Sequence, residues 1–138
     1  MPKAVYCLLT IVAMISLNSC KEHKTRDPLE VYKLWSGNNK VPDGVHLIHG
    51  YYWQSAHWSK EYIMYLELKA PLAWRNEFVE QNNLVLLEDT SLIPDPDIPE
   101  WFKTSKKFKL YVPKGFNEGS AYYEDTVTGT MFLHEVQL

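Results

Sequence analysis

The chain has 138 residues with 14 basic and 17 acidic side chains, a formal charge of −3, and 46% hydrophobic and 14% aromatic content. That weakly acidic balance excludes the electrostatic footprint of a nucleic-acid binder, which needs Lys and Arg clustered on one face. The hydrophobic share excludes a disordered chain and supports a packed core.

Near its start the chain has Lys3, an apolar run from Ala4 to Leu17, and the tetrapeptide Leu17-Asn18-Ser19-Cys20. A spanning helix needs about 20 apolar residues, so a run this short with small and polar residues at its end reads as a cleaved export signal. The tetrapeptide resembles the lipobox of bacterial lipoprotein precursors, with Leu17 and Ser19 matching it and Asn18 a less usual middle residue. The resemblance implies that residues 1–19 are a signal peptide. It implies too that Cys20 becomes the mature N-terminus, with a diacylglycerol thioether on its sulfur and acyl chains such as palmitate. An ordinary secretory signal that happens to contain a cysteine is the competing reading.

In that family an aspartate after the cysteine favours retention at the inner membrane, so Lys21 implies the outer membrane. The Lys21-Glu22 pair leaves both a periplasmic and a surface orientation open. Residues 20–26 are expected to form the lipidated cysteine and a charged tether, and residues 27–138 one domain. The resemblance ends at Cys20.

Without residues 1–19 the chain keeps 13 basic and 17 acidic residues, a formal charge of −4. With Cys7 in the leader and Cys20 carrying lipid, the domain has no disulfide and no thiol or cysteine–zinc chemistry, so packing alone must stabilise it. All five Trp, all five Phe and eight of the nine Tyr lie in this part. That is a large supply of buried area.

The first element is a short helix over Leu29–Ser36. Asp27-Pro28-Leu29-Glu30 has the pattern of a capping box with proline at the first helical position, and Gly37 is placed to end the helix in a left-handed turn. Asn38 to Gly44 is a turn-rich connection. Val45–Trp53 and Glu61–Lys69 read as antiparallel strands joined by the polar tip Gln54-Ser55-Ala56-His57 and by Trp58-Ser59. Tyr62, Met64, Leu66 and Leu68 form the core face of the second strand.

Pro71 marks the first turn of the main helix, Leu72–Gln81, with Trp74 and Phe78 inward and Arg75, Asn76, Glu77 and Glu80 towards solvent. Asn82-Asn83 stops it, and Leu84–Leu87 reads as a buried strand or extended segment. Three prolines, Pro94, Pro96 and Pro99, make the stretch from Ile93 a stiff, extended loop. Glu100-Trp101-Phe102 should add one helical turn that pins it. The C-terminal part is antiparallel strand, with Asp125 to Gly129 as a turn closed by a glycine bulge. The expected fold is α+β, an antiparallel sheet of about five strands with one main helix packed on a face and a short N-terminal helix covering part of the other.

Chemistry-bearing residues are few. His46 and His49, three apart, point to opposite faces of a regular strand, and no third ligand is implied, so no metal or other cofactor is expected. Ser55, His57, Ser59 and Glu61 are neighbours in sequence without the motif of a serine hydrolase, and Asp95/Asp97 and Glu124/Asp125 fall where turns use aspartate. Tyr51-Tyr52-Trp53, Trp58, Trp101-Phe102 and Tyr122-Tyr123 supply more aromatics than one core face hides. Trp53, His57, Trp58 and Trp101 are therefore the candidate binding residues. Two functions compete: a lipid-anchored, non-catalytic binding protein of the cell envelope, in a specific version an immunity-type inhibitor of a toxin-like protein; and a small envelope hydrolase using His57 or the loop carboxylates.

Overall fold

The structure, a computed structural model, describes residues 21–88 and 97–138. The expected leader and lipidation site, residues 1–20, and the first part of the proline-rich stretch, with Asp95, lie outside the described residues. The elements are β1 (His23–Thr25), α1 (Pro28–Ser36), β2 (His46–Gln54), β3 (Tyr62–Lys69), α2 (Leu72–Gln81), β4 (Leu84–Leu87), β5 (Lys109–Pro113), β6 (Ala121–Asp125) and β7 (Thr130–Gln137).

All described strands form one antiparallel sheet in the order β1-β2-β3-β7-β6-β5-β4. The α+β class and the antiparallel sheet are as expected, but the sheet has seven strands rather than about five. The additions are the edges. β4 is the short Leu84–Leu87 run, expected to be buried but exposed at Val85 and Leu86 because it is an edge with a neighbour on one side only. β1 comes from the segment expected as a tether, pairing His23 with Gln54 and Thr25 with Tyr52.

Local chemistry explains the helices. Asp27 caps α1 by accepting the Leu29 N–H at 3.0 Å, and Gly37, at φ 69°, ends the helix in the left-handed region where a side chain would be strained. Glu30 does not close the expected capping box. Its carboxylate accepts the Thr25 hydroxyl at 2.5 Å and lies 3.3 Å from His23 Nε2, tying α1 to the edge strand. α2 has Pro71 at its N-cap with no side-chain cap, and Asn83, at φ 50°, takes the left-handed conformation at its end.

Both helices lie on one face of the sheet, a correction to the expectation that they cover opposite faces. Val31 and Tyr32 of α1 and Phe78 of α2 join Tyr52, Met64, Leu66, Leu68, Tyr122, Met131 and Leu133 in one core. The helices meet through Trp35 and Phe78, whose ring centroids are 5.9 Å apart. Gly50 makes the close approach possible: a Cβ there would lie 2.8 Å from Pro28 Cα and 2.9 Å from Val31 Cγ2.

Arg75 is a second correction. Expected in solvent, it is buried, with Nη1 2.6 Å from Glu124 Oε1, while Tyr111 donates to the other carboxylate oxygen at 3.1 Å. The stripe of Trp74 and Phe78 rotates the adjacent Arg75 towards the sheet, where only a paired charge is tolerated.

The second face carries its own cluster of Tyr65, Phe102 and Phe132, with Ile98, Trp101, Phe108 and Tyr123 packed against it. Here residues 97–108 take the place expected for the N-terminal helix. Pro99 to Phe102 is a hydrogen-bonded turn rather than a helical one, closed by the Phe102 N–H to the Pro99 carbonyl at 2.9 Å. Phe102 inserts edge-on against Tyr65, Tyr123 and Phe132.

Two stability measurements test this packing. Gly50→Ala should cost about 1–3 kcal/mol by pushing α1 off β2, read as a lower urea midpoint; an unchanged midpoint would mean that the helix does not rest there. Glu124→Ala should cost about 3–5 kcal/mol by stranding a buried guanidinium, and Arg75→Leu with Glu124→Leu should recover most of that. Additive losses in the double variant would contradict the pairing.

Candidate functional site

Two polar clusters stand out, one on each face. Under the helices, the Glu135 carboxylate accepts from Trp35 Nε1 at 2.7 Å, from Tyr62 at 2.5 Å and from Tyr122 at 3.0 Å. Burial first, and then the hydrogen bonds and charge of Glu135, push the Tyr62 and Tyr122 phenols far above their ordinary range. Tyr111 is pushed up to about 12 by burial and by Glu124. These phenols stay neutral and donate, so the cluster joins α1, β3, β6 and β7 as a satisfied polar network.

The other face has an open groove. Its floor is β2 and β3, with Ile48, Tyr51, Trp53, Ile63 and Tyr65; β1 supplies Lys24, followed by Arg26; the far wall is Asp97 to Trp101. Its volume is about 1070 Å³, against about 360 Å³ for a shallow depression between the end of α2 and β4–β5. Single small-molecule sites run to roughly 1,000 Å³, so an open groove of this size suits an extended segment.

Strand periodicity puts Tyr51 and Trp53 on this face and Tyr52 on the helix face. His49 arrives through a bulge. Register shifts between Leu47 and His49, so His46 faces Lys69 and His49 faces Glu67 across the strand pair. The two histidines therefore share a face, contrary to the regular-strand reading. His49 Nδ1 lies 2.7 Å from Glu67 Oε2, and its ring stacks on Trp101 with centroids 5.1 Å apart and planes at 20°. The far wall is thus held from two sides, by Trp101 on His49 and by Phe102 in the second cluster.

At the β1 end the Trp53 indole N–H donates to Glu22, and Lys24 Nζ is 2.9 Å from the same carboxylate. The Lys24 contact, with the Trp53 bond after it, holds the Glu22 carboxyl below its ordinary range. The groove therefore combines indole and phenol surfaces with cations on one wall and the acids Asp97 and Glu100 on the other.

Of the four residues expected to bind, Trp53 and Trp101 meet in this groove, whereas His57 and Trp58 stand apart at the β2–β3 hairpin tip. Trp58 is 94% exposed. His57 is exposed, Ser55 is buried, and the Ser59 hydroxyl donates to Glu61 at 3.4 Å. Glu124 is engaged by Arg75, and Asp125 caps its turn, accepting the Val127 N–H at 3.0 Å and the Thr128 hydroxyl at 2.7 Å. Among the described residues no three His, Cys, Asp or Glu side chains are grouped to hold a metal. Also among them, no helix is long and apolar enough to cross a membrane.

Sequence reasoning missed Lys24, Arg26, His49 and Tyr65 as groove residues. The alternation of β2 and β3 already placed Tyr51, Trp53, Ile63 and Tyr65 on one face, and that signal was present; nothing local announced a three-residue edge strand or a bulge. Comparisons with protein-family models, curated proteins and solved structures found no match to this chain.

The tyrosine network gives a pH prediction. A phenol whose folded pKa lies above its unfolded value of about 10 contributes stability that is complete below that value and declines as pH rises through the folded pKa. Unfolding free energy should therefore fall above about pH 10, and Tyr62→Phe and Tyr122→Phe should each flatten the fall. Denaturant titrations at stepped alkaline pH provide the check; equal slopes in wild type and both variants would contradict it.

Proposed function

We propose that this protein is a lipid-anchored, non-catalytic binding protein of the cell envelope that takes an extended segment of a partner in the groove between β2 and residues 97–101. The observation that carries the reading is the groove itself: Tyr51, Trp53 and Trp101 on a face that the helices leave uncovered, with charged groups on both walls. Tyr and Trp are among the residue types that dominate interface energetics, and here Tyr51, Trp53 and Trp101 are preassembled on a strand and a pinned turn. Anchoring is supported by the lipobox resemblance at Cys20, and Lys21 after it supports the outer membrane, on its periplasmic or outer face.

In its most specific form the protein is an immunity-type inhibitor, held by its anchor where an incoming toxin arrives. The charge of −4 on residues 20–138 favours a basic partner. The engagement of Glu124 and Asp125 in structural contacts, and the burial of Ser55 away from exposed His57, support a binding role over hydrolysis.

Crosslinked capture from native envelopes, with the full precursor as bait, tests this. A stoichiometric protein partner is expected, its capture reduced about tenfold or more by Trp53→Ala and by Arg26→Glu with folding unchanged. Undiminished capture by both variants would remove the groove from the interface. An empty capture, with a hydrolytic activity lost in His57→Ala, would favour the enzyme instead.

A further inference from the structure

The register of the sheet gathers several chain segments at one end. His23 is opposite Gln54, Gln54 opposite Tyr62, and Tyr62 opposite Gln137, while Ala121 lies near the end of β7 and Pro113 is opposite Leu84. One rim therefore carries the start of the described chain at Lys21, the 55–61 hairpin tip, the 114–120 loop and the C-terminal Leu138. The rim is braced: the Ser55 N–H bonds the Glu61 carbonyl at 2.8 Å, the Leu138 N–H bonds Glu118 at 2.8 Å, and the Lys114 N–H bonds the Asn83 carbonyl at 3.1 Å.

Two aromatics project from it, Trp58, 94% exposed, and Phe116, 88% exposed. Every other described Trp, Phe and Tyr is buried or half-buried. Leu138, 67% exposed, lies on the same rim. The opposite rim also has exposed apolar residues, Val127 and Leu72, but these are aliphatic and single. Trp58 sits between β2 and β3 and Phe116 between β5 and β6, three strand spacings or about 14 Å apart. That separation is too wide for one small pocket and suits a broad, flat occupant.

We propose that this rim, through Trp58 and Phe116, rests on the headgroup region of the membrane that holds the lipid on Cys20. The proposal rests on the anchoring reading above. The occupant follows from where the described chain begins: Lys21 is on this rim, so a lipid on the adjoining Cys20 brings the bilayer to Trp58 and Phe116 rather than to the opposite end. Tryptophan is suited to that depth, with an apolar body and an N–H that stays hydrated. Lys21, Lys60 and Lys114 on the rim are offset by Glu22, Glu61 and Glu118, so docking requires no anionic lipid. A lipid chain alone leaves a domain free to rotate; two aromatic contacts beside it fix the orientation. The groove then begins near the membrane at Trp53 and runs along β2 away from it to Ile48, about 17 Å.

The test uses lipidated protein in phosphatidylcholine vesicles, with and without bromine on the acyl chains. The emission lost in Trp58→Phe is taken as that of Trp58. Membrane docking predicts that this component shifts to the blue on vesicles and is quenched by the brominated lipid, and that Phe116→Ser weakens the quenching while the protein still sediments with vesicles. A red, unquenched Trp58 on protein that sediments overturns the rim contact and leaves the anchor intact. Failure to sediment with Cys20 present overturns the anchor, and the rim contact with it. A concentration-dependent blue shift of Trp58 in Cys20→Ala without vesicles would assign the rim to a second copy of the chain and overturn the proposal.

Discussion

The pairing of β3 with β7 is the constraint on which the rest of the molecule depends. It runs from Tyr62 opposite Gln137 to Lys69 opposite Thr130 and joins two antiparallel meanders, β1-β2-β3 and β4-β5-β6-β7, into one sheet. Closing strands that are distant in sequence carries a loop-entropy cost that burial has to offset. The seam is accordingly apolar on both sides. Leu66, Leu68, Met131 and Leu133 have no exposed surface on the helix face, and Tyr65 and Phe132 are buried on the other. A central strand pair flanked on both faces cannot show clean alternation of apolar and polar residues.

From that requirement follows the asymmetry of the fold. α1 connects β1 to β2 and α2 connects β3 to β4, and both return over the same face, meeting at Trp35 and Phe78. Each also seats a carboxylate-centred network, α1 through Trp35 on Glu135 and α2 through Arg75 on Glu124, so polar contacts fix what the apolar contacts hold together. The second face is left to Phe102 and its neighbours, which cover Tyr65, Tyr123 and Phe132 but stop short of β1. The groove is what remains between a compact plug and a wider sheet.

Much of this was legible in the residues. Leu72–Gln81 and Leu84–Leu87 have the bounds that Pro71, the Trp74/Phe78 spacing and Asn82-Asn83 suggest, and the Asp125–Gly129 turn forms as its acid-first, glycine-last chemistry implies, with Gly129 at φ 77°. What was not legible depends on contacts distant in sequence. Arg75 looks like a solvent residue until Glu124 is brought beneath it. The Thr25 partner of Glu30 exists only once β1 has joined the sheet. The bulge at Leu47–His49 that turns His49 towards Trp101 has no glycine or proline at its shifted residues to announce it. The candidate site was half visible for the same reason: strand periodicity groups Tyr51 with Trp53, but Lys24 lies in, and Arg26 just after, an edge strand too short to leave a pattern.

β2 links the groove to the rest of the molecule. At one end its bulge holds the far wall through His49 and Trp101; in the middle Gly50 seats α1; at the other end Trp53 meets Glu22, and the strand runs on to the exposed hairpin tip. β1, the near wall, pairs with β2 over only three residues and is held further by Glu30 on Thr25. So short an edge strand has few contacts to keep it in place. The wall bearing Lys24 and Arg26 is therefore complete only while residues 22–26 lie along β2, and those residues directly follow Cys20. Groove completeness and the path of the chain towards its N-terminus are one structural variable, because the same few hydrogen bonds and ion pairs determine both.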